Sequence, residues 1–124
     1  MVLVQEVREV ILRHLKSAET AIEIGDFSKL ASAGIRFSYL PELIKDAKWK
    51  RELYLAALIL SATGSTVDKE TLDEMEAGKK AALLKEFAET IRALEASIND
   101  DKPDQISDIL KDIAMKYYTE IALQ

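Results

Sequence analysis

Few side chains in this sequence are equipped for chemistry. There is one histidine, His14, and no cysteine. Thiol nucleophiles, disulfides, cysteine zinc sites and iron–sulfur clusters are therefore excluded, as is any site that needs two imidazoles. A Ser–His relay would have to be assembled around His14. At about 100° per residue, His14 falls within about 20° of Val7, on the apolar side of its segment, where a histidine packs rather than acting as a general acid. The acidic run Asp68, Glu70, Asp73, Glu74 and Glu76 lacks the glycine and the oxygen-ligand spacing of a calcium loop and reads as a solvated helix start that complements the dipole. A di-iron bundle needs Glu-x-x-His, and Ile11 stands three places before His14. No Gly-rich phosphate loop precedes a Lys-Ser or Lys-Thr pair. The expectation is of no catalytic, cofactor-binding or metal-binding residues.

Two clusters point instead to binding. Lys45, Lys48, Lys50 and Arg51 surround Trp49, with Tyr54 one turn beyond, and cations interleaved with aromatics hold phosphates while stacking bases. RNA is thus a candidate partner, although 17 basic against 22 acidic residues give the chain a formal charge of −5, which opposes it elsewhere. The second cluster is at the C-terminal end. Ile106, Ile109, Leu110, Ile113, Ala114, Tyr117, Tyr118 and Ile121 share an apolar arc of about 180°, wider than the ~100° stripe that one core requires. Tyr117, Tyr118 and Ile121 are accordingly the expected protein interface, most simply in a two-fold homodimer.

The elements that must position these groups all read as helices. Apolar residues recur at Val7, Ile11, Leu15, Ala18 and Ile22, the spacing of one helix face over residues 4–24. Gly25 supplies a left-handed end, and Asp26 or Ser28 caps the next helix, whose Ala31, Ala33 and Gly34 should let it approach Ala18 and Ala21 closely. Pro41 stops that helix near Tyr39. A third begins between Ala47 and Arg51 and is apolar on every side through Leu60, which predicts that Leu55, Ala56, Leu58 and Ile59 lie at the centre. Thr63-Gly64-Ser65-Thr66 reads as a turn, with Ser65, Thr66 or Asp68 capping the helix after it. Gly78 is the point at which residues 68–98 divide, if they divide. Leu84, Phe87, Ala88, Ile91, Leu94 and Ile98 form a further stripe, and Pro103 suits the first turn of the last helix.

The expected architecture is all-α: residues 1–124 as a single helical domain, a bundle or short stack of about five antiparallel helices. The longest apolar run, Leu53 to Leu60, is far short of the ~20 residues that span a bilayer, and the first residues lack a signal-peptide pattern, so a cytoplasmic protein without membrane contact is expected. One Asn and three Gln against 12 Lys is a composition reported for hyperthermophile proteins.

The turn Gly25-Asp26-Phe27, between an amphipathic helix and one of small residues, resembles the inter-helix turn of tetratricopeptide-like hairpins and of the helical HEPN domains. HEPN ribonucleases use an Arg followed four to six residues later by His, and Arg8 and His14 have that spacing. The resemblance implies a ribonuclease acting through those two residues. The residues read by themselves imply a small acidic interaction or assembly module without catalysis, with an RNA-associated module as the alternative.

Overall fold

The computed structural model describes residues 3–123. They form an all-helical bundle, as expected, with no strand among the described residues. Its helices are α1 (Gln5–Glu23), α2 (Ser28–Phe37), α3 (Ala47–Thr66), the short α4 (Lys69–Asp73), α5 (Ala77–Asn99) and α6 (Ile106–Tyr117). Tight 3₁₀ turns at Pro41–Leu43 and Pro103–Gln105 lead into α3 and α6, and a π turn, Tyr118–Ala122, ends the fold.

Short polar side chains set the boundaries by satisfying backbone groups that helix ends leave unpaired. Asp26 Oδ1 accepts from the Ser28 N–H at 2.8 Å, and Asp46 Oδ1 accepts from the N–H groups of Lys48 and Trp49 at 2.9 and 3.0 Å. Asp68 accepts from the Thr71 N–H at 2.7 Å, and Glu76 from the Gly78 N–H at 3.0 Å. These last two caps divide residues 68–98 into α4 and α5. Gly25, at φ +84°, ends α1 in the left-handed region, which lets the Asp26 N–H reach back to the Ala21 carbonyl at 2.9 Å.

The five long helices close into a ring. α1 packs on α2 and α5, α2 on α3, α3 on α6, and α6 on α5. The ring surrounds one buried cluster that includes Ile11, Phe37, Trp49, Leu60, Phe87 and Leu94. A ring with an odd number of members cannot alternate direction throughout, so one neighbouring pair must run parallel. That pair is α3 and α6: Lys48 ion-pairs with Asp104 near their N-terminal ends, and one turn further on Glu52 Oε2 accepts from Ser107 Oγ at 2.7 Å.

Three expectations of detail are corrected. The small residues of α2 do bring two backbones together, but the partner is α3 rather than α1. A Cβ placed on Gly34 would stand 2.9 Å from the Ala57 carbonyl oxygen, and one on Gly64 would stand 2.7 Å from Ala31 Cα. For the same reason Thr63-Gly64-Ser65-Thr66 is not a turn. The segment continues α3, and Gly64 is there to admit the α2 backbone. Finally, Leu58 is 68% exposed, Leu55 and Ile59 are half-buried, and only Ala56 of those four is fully buried. α3 has the core on one side and α2 and α6 on its flanks, which leaves its fourth side to solvent whatever the polarity of the residues there.

Candidate functional site

The structure sends Arg8 and His14 to different places. Six residues along one helix set them about 120° apart. Arg8 is buried against the end of α5, where Nη1 donates to the carbonyls of Ile98 and Asn99 at 2.5 and 3.2 Å and Nη2 to the Leu3 carbonyl at 3.1 Å and Asp101 Oδ2 at 2.6 Å. Every one of these acceptors belongs to the fold. His14 faces α2, its ring edge-on to Phe37 with centroids 6.5 Å apart. Partial burial, then the positive charges of Arg36 and Arg13, hold its pKa below the ordinary value and keep the imidazole neutral at pH 7.

The basic cluster around Trp49 is taken apart in a similar way. Trp49 is 0% exposed, a core residue with no ring face for a base to stack on. Lys48 is paired with Asp104, and Arg51 lies 3.3 Å from Glu52. Lys45 and Lys50 remain at the surface as charges without an aromatic between them. The acidic run is likewise occupied: Asp68 and Glu76 cap helices, and Asp73 accepts from Lys80 Nζ at 2.9 Å. Among the described residues no group of three or more His, Cys, Asp or Glu is arranged to hold a metal ion.

The densest charge arrangement joins α1 to α5. Buried Glu19 receives Arg92 Nε at 2.9 Å and Lys16 Nζ at 3.4 Å, and Arg92 also donates to Glu23 at 2.6 Å. Glu95 hydrogen-bonds to the same Glu19 carboxylate. Burial, and then the neighbouring negative charge, push the Glu95 carboxyl up to about 7. Burial opposes the charge on Glu19 too, but the bonds from Glu95, Arg92 and Lys16 outweigh it and hold that carboxyl below its usual range. Glu95 therefore releases its proton well above the usual carboxylate range, while Arg92, bonded to Glu19 and Glu23, ties α5 to α1.

The exposed apolar surface is elsewhere. Of the expected interface, Ile121 is buried and Tyr117 packs half-buried against the core. Tyr118 is 57% exposed. Tyr54 and Leu58, one turn apart, are also exposed, on the outer side of α3, with Leu55 and Ile59 half-buried on the same helix; of these, Leu55, Leu58 and Ile59 were expected at the centre. From Leu53 to Val67 the helix carries no charged side chain.

The chain matches no protein-family model, no curated protein and no solved structure. Its reading rests on this geometry. No helix among the described residues is long and apolar enough to cross a membrane. Sequence reasoning missed the outer face of α3 because apolarity on every side is equally the pattern of a central helix and of a helix with two flanking neighbours and an uncovered back. It missed the Glu19–Glu95 pair because the two residues lie 76 positions apart, and no local periodicity reports such a meeting.

Proposed function

We propose that this protein is an assembly module without chemistry of its own, and that it forms a two-fold homodimer through the outer face of α3. The observation behind this reading is the uncharged exposed strip from Tyr54 to Ala62 on a chain whose net charge is −5. Two copies of an acidic protein repel each other, and they approach at least cost through a face that carries no like charge. α2 and α6 flank α3 and leave its outer face uncovered.

A two-fold axis at Leu58 would lay the strip antiparallel on itself. It would also bring the basic turn around Arg51 of one copy toward Asp68 and Glu70 of the other, which fixes the register by charge complementarity. RNA is the poorer reading, since the buried Trp49 ring offers no face to bases.

Sedimentation equilibrium at micromolar concentrations tests this. The wild type is expected at twice 13.9 kDa, and Leu58→Glu, at a position the monomer leaves in solvent, at the monomer mass with unchanged helicity. A wild type that sediments as a monomer up to about 100 μM, a concentration at which even micromolar dimers would form, overturns the proposal.

A further inference from the structure

We propose that the groove between α1 and α2 docks a short acidic segment of a partner protein, whose carboxylates meet Arg13, Lys16, Lys29 and Arg36 and whose apolar side chain covers Ile24. The groove is an open concavity of about 590 Å³ on the outside of the first helical hairpin, lined by Arg13, Lys16, Thr20 and Ile24 of the first arm and its end and by Lys29 of the second. From Arg13 to Ile24 it runs about 16 Å along the helix axis.

The helical repeat gathers these cations. Arg13, Lys16, Thr20 and Ile24 follow one another at three and four places, which is one face of α1, and Lys29 and Arg36 stand seven places apart on one face of α2. All four cations are exposed. His14 reports that two of them share one end of the groove: after partial burial, it is the charges of Arg36 and Arg13 that lower its pKa.

The neighbouring carboxylates are engaged elsewhere. Glu19 and Glu23, on the same stretch of α1, both accept from Arg92 of α5. Asp26, at the turn, accepts from the Ser28 N–H. Lys16 keeps a 3.4 Å contact with Glu19, but Arg13, Lys29 and Arg36 have no ion-pair partner among the described residues. Glu6 and Glu9 precede Arg13 and bound the cationic stretch at that end. A chain with 22 acidic residues thus presents here a positive patch that an added anion complements.

The apolar end of the groove selects the kind of anion. Ile24 is 83% exposed, the most exposed large apolar side chain among the described residues, and it lies in the lining beside Ala21. A peptide brings carboxylates and apolar side chains together. A nucleic acid would bring bases that no aromatic of this lining can stack, and a phosphate chain that the net charge of −5 repels beyond the patch.

The probe is a fluorescein-labelled peptide of about twelve residues, about 18 Å long as a helix, made of glutamates with a leucine at every third or fourth place. Titrated with the full-length protein in about 50 mM salt, its anisotropy should rise to saturation with a Kd below about 100 μM, and the affinity should fall at least about tenfold in about 500 mM salt. Arg13→Gln with Lys29→Gln, two exposed positions, should weaken binding about tenfold, and Ile24→Ser about threefold. No saturable binding up to about 1 mM, equal binding of the same peptide with glutamines for glutamates, or an affinity indifferent to the double substitution overturns the site. Tighter binding of an oligouridylate of the same charge overturns the peptide as its occupant. The groove is separate from the outer face of α3, so Leu58→Glu should bind the peptide as the wild type does, and sedimentation of the same samples reports the dimer independently.

Discussion

The Arg8 guanidinium and the Asp101 carboxylate meet at 2.6 Å across 93 residues of sequence and together close the end of α5. Asp101 has φ +55°, a left-handed conformation that glycine usually supplies, and the turn it makes brings the Lys102 N–H to the Ser97 carbonyl at 2.8 Å. An aspartate there bears the backbone strain and in return anchors Arg8 and the Leu3 N–H. Burial works against its charge, but those two bonds outweigh it and hold its carboxyl below the usual range.

Arg8→Leu keeps much of the buried volume but removes the guanidinium donors to the Ile98 and Asn99 carbonyls and to Asp101 Oδ2, leaving the Asp101 carboxylate only its bond from the Leu3 N–H. Removing one partner of a mostly buried, hydrogen-bonded pair should cost about 2 to 4 kcal/mol. Urea denaturation of the two proteins measures it. A difference under about 0.5 kcal/mol would mean that water replaces the guanidinium without loss.

Gly34→Ala and Gly64→Ala should each destabilise by about 2 to 3 kcal/mol, because the added methyl meets backbone atoms of the facing helix, which cannot rotate away as a side chain does. In an ordinary exposed helix interior the same change would stabilise by up to about 1 kcal/mol. The sign of the change in denaturation midpoint therefore distinguishes the α2–α3 contact from its absence.

Leu58 and Leu60 are two residues apart and opposite in fate. Leu60 is 0% exposed, and Leu60→Ala should cost about 2 to 5 kcal/mol, the range for cavity-forming truncations. Leu58→Ala should stay within about 0.5 kcal/mol for the monomer. Thermal melts below the dimerisation concentration compare them.

Stability should depend on pH through Glu95. Its folded pKa, about 7, is above its ordinary value of 4.5, so between those values the folded protein holds a proton that the unfolded chain has released. The stabilisation is complete below about pH 4.5 and is lost as pH rises toward 7. After discounting for solvent screening at this half-buried site it amounts to about 1 to 2 kcal/mol. Glu19 acts in the opposite sense, and its contribution is lost only as pH falls below its ordinary value. Glu95→Gln, which imitates the protonated acid, should match the wild type near pH 5 and exceed it at pH 8. Equal stability at both values would show that Glu19 and Glu95 share no proton.

What the sequence determined by itself was the set of local events, because their causes lie within a few residues. Periodicity placed α1, α5 and α6. Gly25, Asp26 and Asp68 could be read as ends because a cap bonds a backbone group two or three places away. The tertiary structure decided everything that needs a neighbour. Gly64 looked like a turn until the α2 backbone was seen against it, and Leu58 looked central until α3 was found to have helices on only two flanks. Arg8 and His14 looked like a pair because spacing along a chain says nothing of what each side chain meets across the bundle. The direction of α6 beside α3 was decided last of all, by parity: five helices in a closed ring leave one pair that must run the same way.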